Sequence, residues 1–571
     1  MTTYDKASAE YERWLGYGDL PAELRRDLEK SKGDREEILL RFGGELSFGT
    51  AGLRGVMSAG TNRMNIFTVA RATQGLADCL KASGKTDLSV VIARDTRINS
   101  DVFEKEIAQV LSSIGIKVFV FDGPRPTPEL SFAVRHLGCD AGIIITASHN
   151  PKEYNGYKVY GPDGAQISPD VAEKVSAAIS KRDVLTGALC TGKAKTTVLG
   201  GEIDRAYLSA VLNEITDRES IKKHSGMPIV YTPLHGAGRV LVPQALSEAG
   251  FTNVITVKEQ MIPDGSFPTV RLPNPEFPEA FELGLKLARE NGAELIIGTD
   301  PDSDRMGVMI RRGDGYELLS GNRIGCLLLD YIINACKAAG GVPADAYAVK
   351  SIVSTELASD ICRENGVRMF DVLTGFRFIG DVMTRHAEAG TGTFLLGFEE
   401  SNGYLKGTYA RDKDAVVASV IIAEAAAHYR SLGLSLGEAL DGMLEKYGFY
   451  SEKVINLPFS GSDGKERMTS LMSSLREKVP ESIAGEPLTG FRDYLTGVIK
   501  DLRSGEETGT GLPTSNVIYL RSENCVLVVR PSGTEPKIKL YLMAKGANKA
   551  DAEKRLGALM IDAEAMSGQG G

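Results

Sequence analysis

A chain of 571 residues is too long for one hydrophobic core, so the length alone predicts several domains. Its hydrophobic share of 42% and charged share of 25% are those of an ordinary globular protein. The formal net charge of -9 argues against a general binder of nucleic acid or anionic membranes. Any anionic ligand must therefore find its positive charge in a local pocket.

The cysteines and the apolar segments indicate the compartment. The seven cysteines are scattered and form no C-x-x-C pair, which favours a reducing compartment over a disulfide framework or a zinc site. The first residues, MTTYDKASAEYERW, are polar and contain no signal-peptide core. The most apolar helical segment, residues 415–427, carries Glu424 and is too short to cross a bilayer, so it is predicted to be a core helix. We therefore expect a cytoplasmic protein.

Short β-branched segments alternate with helical patterns along most of the chain. Strands are predicted, in chain order, in LSVVIARDTR, KVFVFDG, AGIIITASHN, MPIVYTPLHG, AELIIGTDPDSDR, YAVKSIVST and GTFLLGFEESNG. Because these strands are apolar throughout, we expect them to be buried on both faces, in α/β domains with mostly parallel sheets. The ligand crevice of such a sheet lies at the carboxyl ends of its strands, where the polar loops of these segments fall.

The last part of the chain has a different pattern, in which residues 524–544 predict two strands around a basic loop. Domain boundaries are predicted near Gly200, near residues 311–315 and near Gly448. The predicted domains are residues 1–200, 201–315, 316–448 and 449–571.

A glycine-rich loop, FGTAGLRGVM at residues 48–57, carries Arg54. No G-x-x-x-x-G-K-[ST] motif occurs in the chain, and the GTG near Gly509 follows no predicted strand. A nucleotide-binding site is therefore not favoured.

The segment ITASHNPKEYNGYK places Ser148 and His149 directly after an apolar strand. A serine–histidine hydrolase is one interpretation, but adjacent loop residues rarely point at each other and no G-x-S-x-G motif is present. We favour phosphorylation of Ser148. A phosphoserine carries close to two negative charges and needs a cation beside it.

The segment GTDPDSDR places Asp300, Asp302 and Asp304 directly after another apolar strand. Three carboxylates so close together repel one another unless a cation neutralises them, and hard oxygen ligands suit Mg²⁺ or Ca²⁺. An EF-hand is excluded because its sixth position would be Arg305 and its twelfth Arg311. A solvated acidic turn is the alternative. We favour a metal site that leaves positions open for a phosphate oxygen.

Two further loops carry polar side chains suited to a sugar phosphate. Glu399 and Ser401 follow a strand in GFEESNGYLKG, and a carboxylate beside a hydroxyl can hold sugar hydroxyls, although solvated glutamates are the alternative. The segment VVRPSGTEPKIKLY supplies the parts of a phosphate cradle made from loop amides, with a simple hairpin turn as the alternative. The cradle residues are Arg530, Ser532, Gly533, Thr534 and Lys539.

Taken together, the motifs FGTAGLRG, TASHNP, GTDPDSDR, TGF, GFEESNGY and RPSGTEPKIKLY give the chain a family resemblance. The sequence resembles the α-D-phosphohexomutase superfamily, and more closely its phosphoglucomutase branch (phosphoglucomutase/phosphomannomutase). The resemblance implies an α/β, four-domain phosphohexomutase-like architecture, in which three related α/β domains with mixed sheets and a C-terminal α+β domain surround a central cleft. It also implies a phosphosugar mutase that interconverts glucose 1-phosphate and glucose 6-phosphate through a phosphoserine enzyme and a bisphosphorylated sugar.

The resemblance further implies a set of site residues. The catalytic residues are expected to be Ser148, Lys413 as acid or base, Arg54, Lys158 and His149. Mg²⁺ is expected to be held by Ser148, Asp300, Asp302 and Asp304. Substrate is expected to be bound by Thr374, Gly375, Arg377, Glu399, Ser401, Arg530, Ser532, Gly533, Thr534, Lys539 and Arg305.

The chain departs from the family pattern at two positions. The segment RDKDA has an alanine where a glycine is expected, and Arg377 stands where a lysine is usual. The alternative for Lys413 is a solvated charge in this acidic and basic run. Because the phosphoserine needs cations, we expect the setting to be electropositive and to lower the pKa of a lysine or arginine, which could then accept the hydroxyl proton.

The expected partners are small-molecule sugar phosphates, with glucose 1,6-bisphosphate as activator or intermediate. No nucleic acid or membrane partner is expected, and we expect a monomer. Phosphomannomutase and phosphopentomutase activities stay open at this stage. So do a phosphatase or kinase using the same phosphoserine and a non-catalytic relative that binds sugar phosphates.

Overall fold

The computed structural model describes residues 2–49, 52–186, 194–459, 463–532 and 537–568. Within these ranges the chain forms three α/β domains followed by a β-rich α+β domain, which confirms the predicted fold class. The predicted limits of the four domains stay a prediction.

The first domain is built on a six-stranded mixed sheet. Its helices are α1 (Thr3–Leu15), α2 (Ala22–Lys30), α3 (Arg35–Phe42), α4 (Ile66–Lys81), α5 (Ser100–Ser113), α6 (Thr127–Leu137) and α7 (Pro169–Ser180). Its strands are β1 (Leu53–Val56), β2 (Ser89–Arg94), β3 (Lys117–Phe121), β4 (Ala141–Ile145), β5 (Tyr154–Tyr160) and β6 (Thr196–Leu199), in the order β1-β5-β4-β2-β3-β6. Alternate residues of β2 and β4 enter two different hydrophobic cores, which explains why these strands are apolar throughout.

The second domain has a five-stranded sheet. Its helices are α8 (Gly201–Leu212), α9 (Arg218–Lys223), α10 (Gly238–Ala249), a 3-10 helix (Pro278–Phe281) and α11 (Glu282–Asn291). Its strands are β7 (Ile229–Thr232), β8 (Val254–Thr256), β9 (Leu295–Thr299), β10 (Met306–Arg312) and β11 (Gly315–Leu318), in the order β11-β10-β9-β7-β8.

The third domain has a four-stranded sheet. Its helices are α12 (Gly321–Ala338), α13 (Glu356–Glu364), α14 (Phe376–Ala389), α15 (Ala415–Ser431) and α16 (Leu436–Tyr447). Its strands are β12 (Ala346–Ser351), β13 (Arg368–Val372), β14 (Thr393–Glu399) and β15 (Gly403–Leu405), in the order β13-β12-β14-β15.

The three α/β sheets share one arrangement. In each, a parallel strand (β4, β9 or β14) is followed directly by an antiparallel neighbour (β5, β10 or β15). The expectation of mostly parallel sheets fails at these strand pairs, because the chain reverses there without a crossover helix. The sheets are mixed, as the family resemblance implies.

The fourth domain is an antiparallel seven-stranded sheet with two helices on one face. Its elements are β16 (Phe449–Pro458), α17 (Gly464–Glu477), β17 (Ser482–Ile483), β18 (Glu486–Pro487), β19 (Gly490–Asp493), β20 (Val498–Asp501), β21 (Glu507–Gly509), β22 (Ile518–Arg521), β23 (Cys525–Pro531), β24 (Lys537–Gly546) and α18 (Lys549–Gly568). Strands β23 and β24 are the two strands predicted around the basic loop. The other face packs against the third domain, where Tyr541 and Met543 join Ile352 and Val353 in one apolar cluster.

Helix α15 is the apolar segment that the sequence predicts to be a core helix, and it is buried along most of its length. Its one carboxylate, Glu424, accepts hydrogen bonds at Oε1 from the main-chain N–H groups of Thr216 (2.6 Å) and Asp217 (2.5 Å), which anchor the helix to the start of α9. Among the described residues no single helix is long and apolar enough to cross a membrane. Helices α15 and α16 reach that length and apolar character only when taken together, and they are bent by 87° at the break between them.

Candidate active site

Three loops contact one another, through Ser148 with Asp300 and through Arg305 with Ser401. Each connects a parallel strand to its antiparallel neighbour: β4 to β5, β9 to β10 and β14 to β15. Each contains one non-glycine residue in the left-handed region: Ser148 (φ 51°), Ser303 (φ 52°) and Asn402 (φ 63°). That conformation costs a non-glycine residue about 1–2 kcal/mol, so the surroundings must hold all three corners in place.

Ser148 lies in the first of these corners, and its hydroxyl faces the second. Its Oγ donates to Asp300 Oδ2 at 2.6 Å and lies 3.1 Å from Nδ1 of His149, while its N–H donates to Thr146 Oγ1 at 2.8 Å. The expectation that Ser148 and His149 do not point at each other is therefore wrong, because the left-handed turn brings both side chains to one side. Since the hydroxyl proton is shared with Asp300, His149 is placed to donate from Nδ1 to the serine oxygen.

Burial lowers the pKa of His149 well below its ordinary value, and the nearby Arg305 adds to this. The imidazole is therefore neutral at neutral pH. A neutral ring can exchange a proton with the oxygen beside it, whereas an imidazolium could only donate.

The three aspartates form one buried cluster. Asp300, Asp302 and Asp304 each offer a carboxylate oxygen within 4.8 Å of the others, and all three side chains are inaccessible to water. Asp302 Oδ1 and Asp304 Oδ1 have no hydrogen-bond partner, which is costly for a buried carboxylate unless a cation is its partner. Hard oxygen donors with unsatisfied atoms fit Mg²⁺, and the solvated acidic turn considered from the sequence is wrong.

The charges of this cluster shift one another. Burial raises the pKa of Asp300 well above its ordinary value, and the negative charges of Asp302 and Asp304 raise it further. Burial would also raise the pKa of Asp302, but the ammonium of Lys158 outweighs burial and lowers it. The cluster therefore needs positive charge from its neighbours.

Lys158 and Lys413 supply that charge. Lys158 Nζ lies 2.9 Å from Asp302 Oδ2, and Lys413 Nζ lies 2.8 Å from Asp304 Oδ2. Burial alone would lower the pKa of each lysine, but the aspartates beside them raise both above the ordinary value. The expected lowering of a lysine pKa is therefore wrong, because the surroundings are acidic. The solvated alternative for Lys413 is also wrong, since only 7% of this residue is exposed.

The residues around RDKDA are held by the site and by α15. Asp412 Oδ1 accepts from the N–H of Lys413 at 2.9 Å and lies 3.3 Å from its Nζ. Asp414 accepts from the N–H groups of Val416 and Val417 and so caps α15. The departure from the family glycine thus coincides with the start of a helix.

Arg305 connects the metal loop to the sugar loop. Its Nη1 donates to Glu276 Oε1 at 3.1 Å and to the carbonyl oxygen of Ser401 at 3.0 Å. Glu276 was missed by the sequence analysis, because nothing in its local pattern indicates a partner in a distant loop.

Thr127 was missed for the same reason. Its Oγ1 donates to Asp302 Oδ2 at 2.9 Å, and its N–H donates to the carbonyl oxygen of Asp302 at 2.8 Å. The N-terminal turn of α6, in the first domain, therefore orients a metal-ligand candidate of the second.

The sugar-loop candidates lie in the third domain. Glu399 Oε1 accepts from the N–H of Gly375 at 2.7 Å, and burial raises its pKa. Thr374 Oγ1 is buried and has no hydrogen-bond partner. Burial first, and then the charge of Glu399, raises the pKa of Glu400 to about 7. The structure thus brings Thr374, Gly375 and Glu399 together.

Arg377 is placed differently from the other candidates for substrate binding. Its Nη1 donates to the carbonyl oxygen of Ile167 in the first domain at 2.6 Å, and its Nη2 donates to Asp381 at 3.0 Å. Its guanidinium therefore joins two domains in this structure.

The phosphate-cradle candidates lie on β23 and β24. Arg530 and Lys539 are opposite each other in the register of the two strands. Arg530 Nη1 lies 3.4 Å from the Tyr541 hydroxyl. Burial lowers the pKa of Lys539, and Arg530 adds to this. The Ser532 N–H donates to the Lys537 carbonyl oxygen at 2.8 Å, while Gly533 and Thr534 lie outside the described residues.

Arg54 lies at the rim of the first domain beside the serine loop. It is exposed, and its Nη1 lies 3.3 Å from Asn150 Oδ1. It is therefore in contact with the loop that carries Ser148 and His149.

Comparison with solved structures defines the class of fold. A putative phosphomannomutase from Thermus thermophilus superposes with a TM-score of 0.69 at 22% identity, covering 91% of this chain and 99% of that one. The phosphoglucomutase pp63/parafusin from Paramecium superposes with a TM-score of 0.68 at 16% identity, covering 92% and 95%. At these identities the likeness shows the fold alone, which is that of the phosphohexomutases.

Sequence comparison is more specific. Residues 45–185, 205–313 and 320–447 match the phosphoglucomutase/phosphomannomutase alpha/beta/alpha domains I, II and III. A phosphoglucomutase of Staphylococcus saprophyticus is 39% identical over 524 residues, covering 90% of this chain and 93% of the relative. One of Staphylococcus aureus is 36% identical over 541 residues, covering 94% and 95%. The chain belongs to the phosphoglucomutase/phosphomannomutase family.

Proposed function

We propose that this protein, an enzyme of the phosphosugar mutase class, interconverts glucose 1-phosphate and glucose 6-phosphate. The observation that carries the proposal is the 2.6 Å contact between Ser148 Oγ and Asp300, which joins a nucleophile to a three-carboxylate metal site. Relatives that carry the name phosphoglucomutase and match 90% and 87% of the chain support glucose as the sugar.

The reaction is a pair of phosphoryl transfers at Ser148. In the first, the bond from phosphorus to Ser148 Oγ breaks as a bond to a free hydroxyl of the sugar monophosphate forms, which gives a sugar bisphosphate. The bisphosphate turns in the cleft, and its other phosphoryl group then returns to Ser148 Oγ. Each transfer depends on in-line placement and on neutralisation of the phosphoryl oxygens.

Asp300, Asp302, Asp304 and Ser148 Oγ would hold Mg²⁺, which supplies charge neutralisation for the phosphoryl oxygens. Lys158 and Lys413 add two ammonium groups whose raised pKa keeps them charged at neutral pH. These charges stabilise the transferring group but cannot accept a proton.

The proton that leaves the sugar hydroxyl must finally rest on Ser148 Oγ. We propose that the neutral His149 relays this proton: Nδ1–H gives its proton to Ser148 Oγ, 3.1 Å away, and Nε2 takes up the proton that the sugar hydroxyl releases, so the ring changes tautomer and stays neutral. Lys413 is then assigned to charge stabilisation instead of to proton acceptance.

The non-reacting phosphate is proposed to be held by the cradle on the fourth domain. Arg530 and Lys539 present two cations from opposite positions on β23 and β24. Ser532, Gly533 and Thr534 are proposed to complete this cradle, and Glu399, Ser401 and Thr374–Gly375 to bind the sugar. Because the sugar must be bound in both orientations, the cradle has to accept a phosphate on either end.

We further propose Mg²⁺ as the metal, glucose 1,6-bisphosphate as the activator, a monomeric state and a cytoplasmic location. The last is supported by the free thiols of Cys79, Cys139, Cys326, Cys336, Cys362 and Cys525 among the described residues, the form that reducing compartments maintain.

A coupled assay tests the proposal. Isomerisation of glucose 1-phosphate that requires catalytic glucose 1,6-bisphosphate is expected, whereas release of inorganic phosphate at the same rate would identify a phosphatase. Rates on mannose 1-phosphate and ribose 1-phosphate, measured beside glucose 1-phosphate, test the sugar preference.

A further inference from the structure

Arg97, in the turn after β2, has a fully buried side chain and no part in the proposed reaction. Its Nη1 donates to the carbonyl oxygens of Pro151 (2.8 Å) and Tyr154 (3.1 Å). Its Nη2 donates to the carbonyl oxygens of Ser148 and Asn150. One guanidinium therefore donates hydrogen bonds to four carbonyl groups in and next to the loop that carries the nucleophile.

This arrangement answers a question posed by the backbone of Ser148. The residue has φ 51°, which is unfavourable for a side chain with a Cβ, and its loop turns several carbonyl oxygens toward one point. A planar fork of N–H donors can bond all of them at once, which the single nitrogen of a lysine cannot do. The conformation of Ser148 is thus fixed by the shape of the arginine side chain as well as by its charge.

The guanidinium itself is held from two sides. Asp95, also fully buried, has Oδ2 at 3.4 Å from Arg97 Nε, and its Oδ1 accepts from the Arg97 N–H (2.8 Å) and from Ser100 Oγ (3.0 Å). The ring of Phe267, from the second domain, lies 5.1 Å from the guanidinium carbon. The fork is therefore paired, oriented and shielded from water before any substrate binds.

The loop of the second domain that carries Phe267 packs closely against the backbone next to Arg97. A Cβ atom added at Gly265 would lie 2.3 Å from the main-chain nitrogen of Ile98, so the loop that carries Phe267 lies directly on the turn containing Arg97. The serine loop, Arg97 and the second domain form one packed stack.

We propose that Arg97 is a positioning residue for phosphoryl transfer, holding the Ser148 loop in the conformation that directs Oγ at the aspartate cluster. The inference rests on the proposed function, because it assigns Ser148 as the group that carries the phosphoryl. Arg97 acts only through the loop, so it affects the transfer step and not the binding of sugar phosphate by the fourth domain.

The test is Arg97→Lys, assayed after loading with glucose 1,6-bisphosphate and normalised to the phosphoserine content found by intact-mass analysis. We expect kcat per phosphoserine to fall about a hundredfold, since a misplacement of the nucleophile by about 1 Å has that effect. KM for glucose 1-phosphate should stay within about threefold of wild type, because the cradle is untouched. A kcat per phosphoserine equal to wild type would overturn the proposal.

Arg71→Lys is the matched control. Arg71 is also a buried arginine of the first domain, but its guanidinium contacts Glu45 (2.9 Å) and the carbonyl oxygen of Ile179 (3.1 Å). Loss of these two contacts should lower thermal stability without changing kcat per phosphoserine. An equal fall in both variants would mean that Arg97 has only a general structural role.

Asp95→Asn covers the case in which Arg97→Lys does not fold. It keeps the volume and the hydrogen bond from Ser100 but removes the charge that orients the fork, so a fall of about tenfold in kcat per phosphoserine is expected. An unchanged value contradicts the proposal. Ser148→Ala, assayed in parallel, separates the two hypotheses: if it retains turnover the proposed function fails, and if it is inactive while the Arg97 and Asp95 variants are normal, only the role of Arg97 fails.

Discussion

The centre around Ser148 and the cradle around Arg530 are built in different ways. The centre is assembled from three domains and is largely buried; its hydroxyl and carboxylate contact each other at 2.6 Å, and its lysines lie 2.8–2.9 Å from carboxylates. The cradle lies on two neighbouring strands of one domain, where Arg530 lies 3.4 Å from a tyrosine hydroxyl and Lys539 has a lowered pKa. A reacting phosphoryl group needs fixed geometry, whereas a phosphate that is only held has to be released.

This difference predicts that variants of the centre lower kcat and that variants of the cradle raise KM. The largest effect should come from Ser148→Ala, which removes the atom proposed to carry the phosphoryl group. We expect a loss of at least about a thousandfold in kcat with an unchanged circular-dichroism spectrum. The purified wild type should contain a phosphorylated fraction that maps to Ser148 by mass spectrometry. Substantial mutase activity in the alanine variant would contradict the phosphoserine mechanism.

Removal of the metal should come next. Chelation of divalent ions, or Asp302→Asn, should reduce kcat about a hundredfold or more, because the cluster would lose the cation that we propose neutralises the phosphoserine. Added Mg²⁺ should restore the chelated wild type. Asp87→Asn, at a largely exposed position paired with Lys117, is the control and should behave as wild type. Full activity in chelator would exclude a metal-dependent centre.

Lys413→Ala should lower kcat roughly a hundredfold with little change in KM. Its ammonium lies 2.8 Å from Asp304, where we propose that it stabilises the charges of the transferring group. Lys406→Ala is the control, since that lysine contacts Glu214 and Thr216 outside the aspartate cluster. If Lys413→Arg restores most of the activity, the role is charge; if only a lysine works, proton transfer returns as the explanation.

In the cradle, Arg530→Ala should mainly raise KM. Loss of one charge-assisted hydrogen bond costs about 1.5–3 kcal/mol, or roughly ten- to a hundredfold in apparent affinity. Steady-state kinetics on glucose 1-phosphate measure this, with Arg503→Ala as an exposed control in the same domain. A fall in kcat with unchanged KM would remove the distinction between the two regions.

The smallest effect concerns the boundary between them, at Glu400. Its pKa is raised to about 7, so the folded protein binds a proton more tightly than the unfolded chain. The resulting stability is complete below the ordinary pKa of a glutamate and is lost as the pH rises through about 7. Glu400→Gln should flatten this part of the stability profile by on the order of 1 kcal/mol in urea titrations at several pH values. An unaltered profile would mean that Glu400 is not desolvated in solution.

The sequence predicted those parts of the fold and site that depend on short segments of the chain. The apolar strands and their polar loops were visible, so the α/β class and the candidates Ser148 and Asp300 could be named. The contact between these two residues joins positions 152 apart, and they were linked only by the cation that a phosphoserine needs and by the family resemblance. Thr127 acts across a domain interface, and Glu276 contacts a loop 29 positions along the chain; neither residue left a local signal.

Electrostatics could be predicted least well. The charge on each lysine depends on which carboxylates lie beside it, and Asp302 and Asp304 approach Lys158 and Lys413 only after folding. The orientation of His149 depends on the left-handed turn at Ser148, which composition does not show. Arg377 was expected to bind substrate because of its charge, yet its guanidinium donates a hydrogen bond to the carbonyl oxygen of Ile167.

The left-handed corner repeated in three domains has a consequence for how such a chain can evolve. Each corner lies between a parallel strand and its antiparallel neighbour, and Ser148, Ser303 and Asn402 share the left-handed backbone there while presenting different side chains. A gene that had copied one such unit could then alter the residue at each copy without redesigning the sheet behind it. One copy could acquire a nucleophile, another a cluster of carboxylates and the third a contact for sugars. Three turns of the same backbone conformation would then carry three different functions.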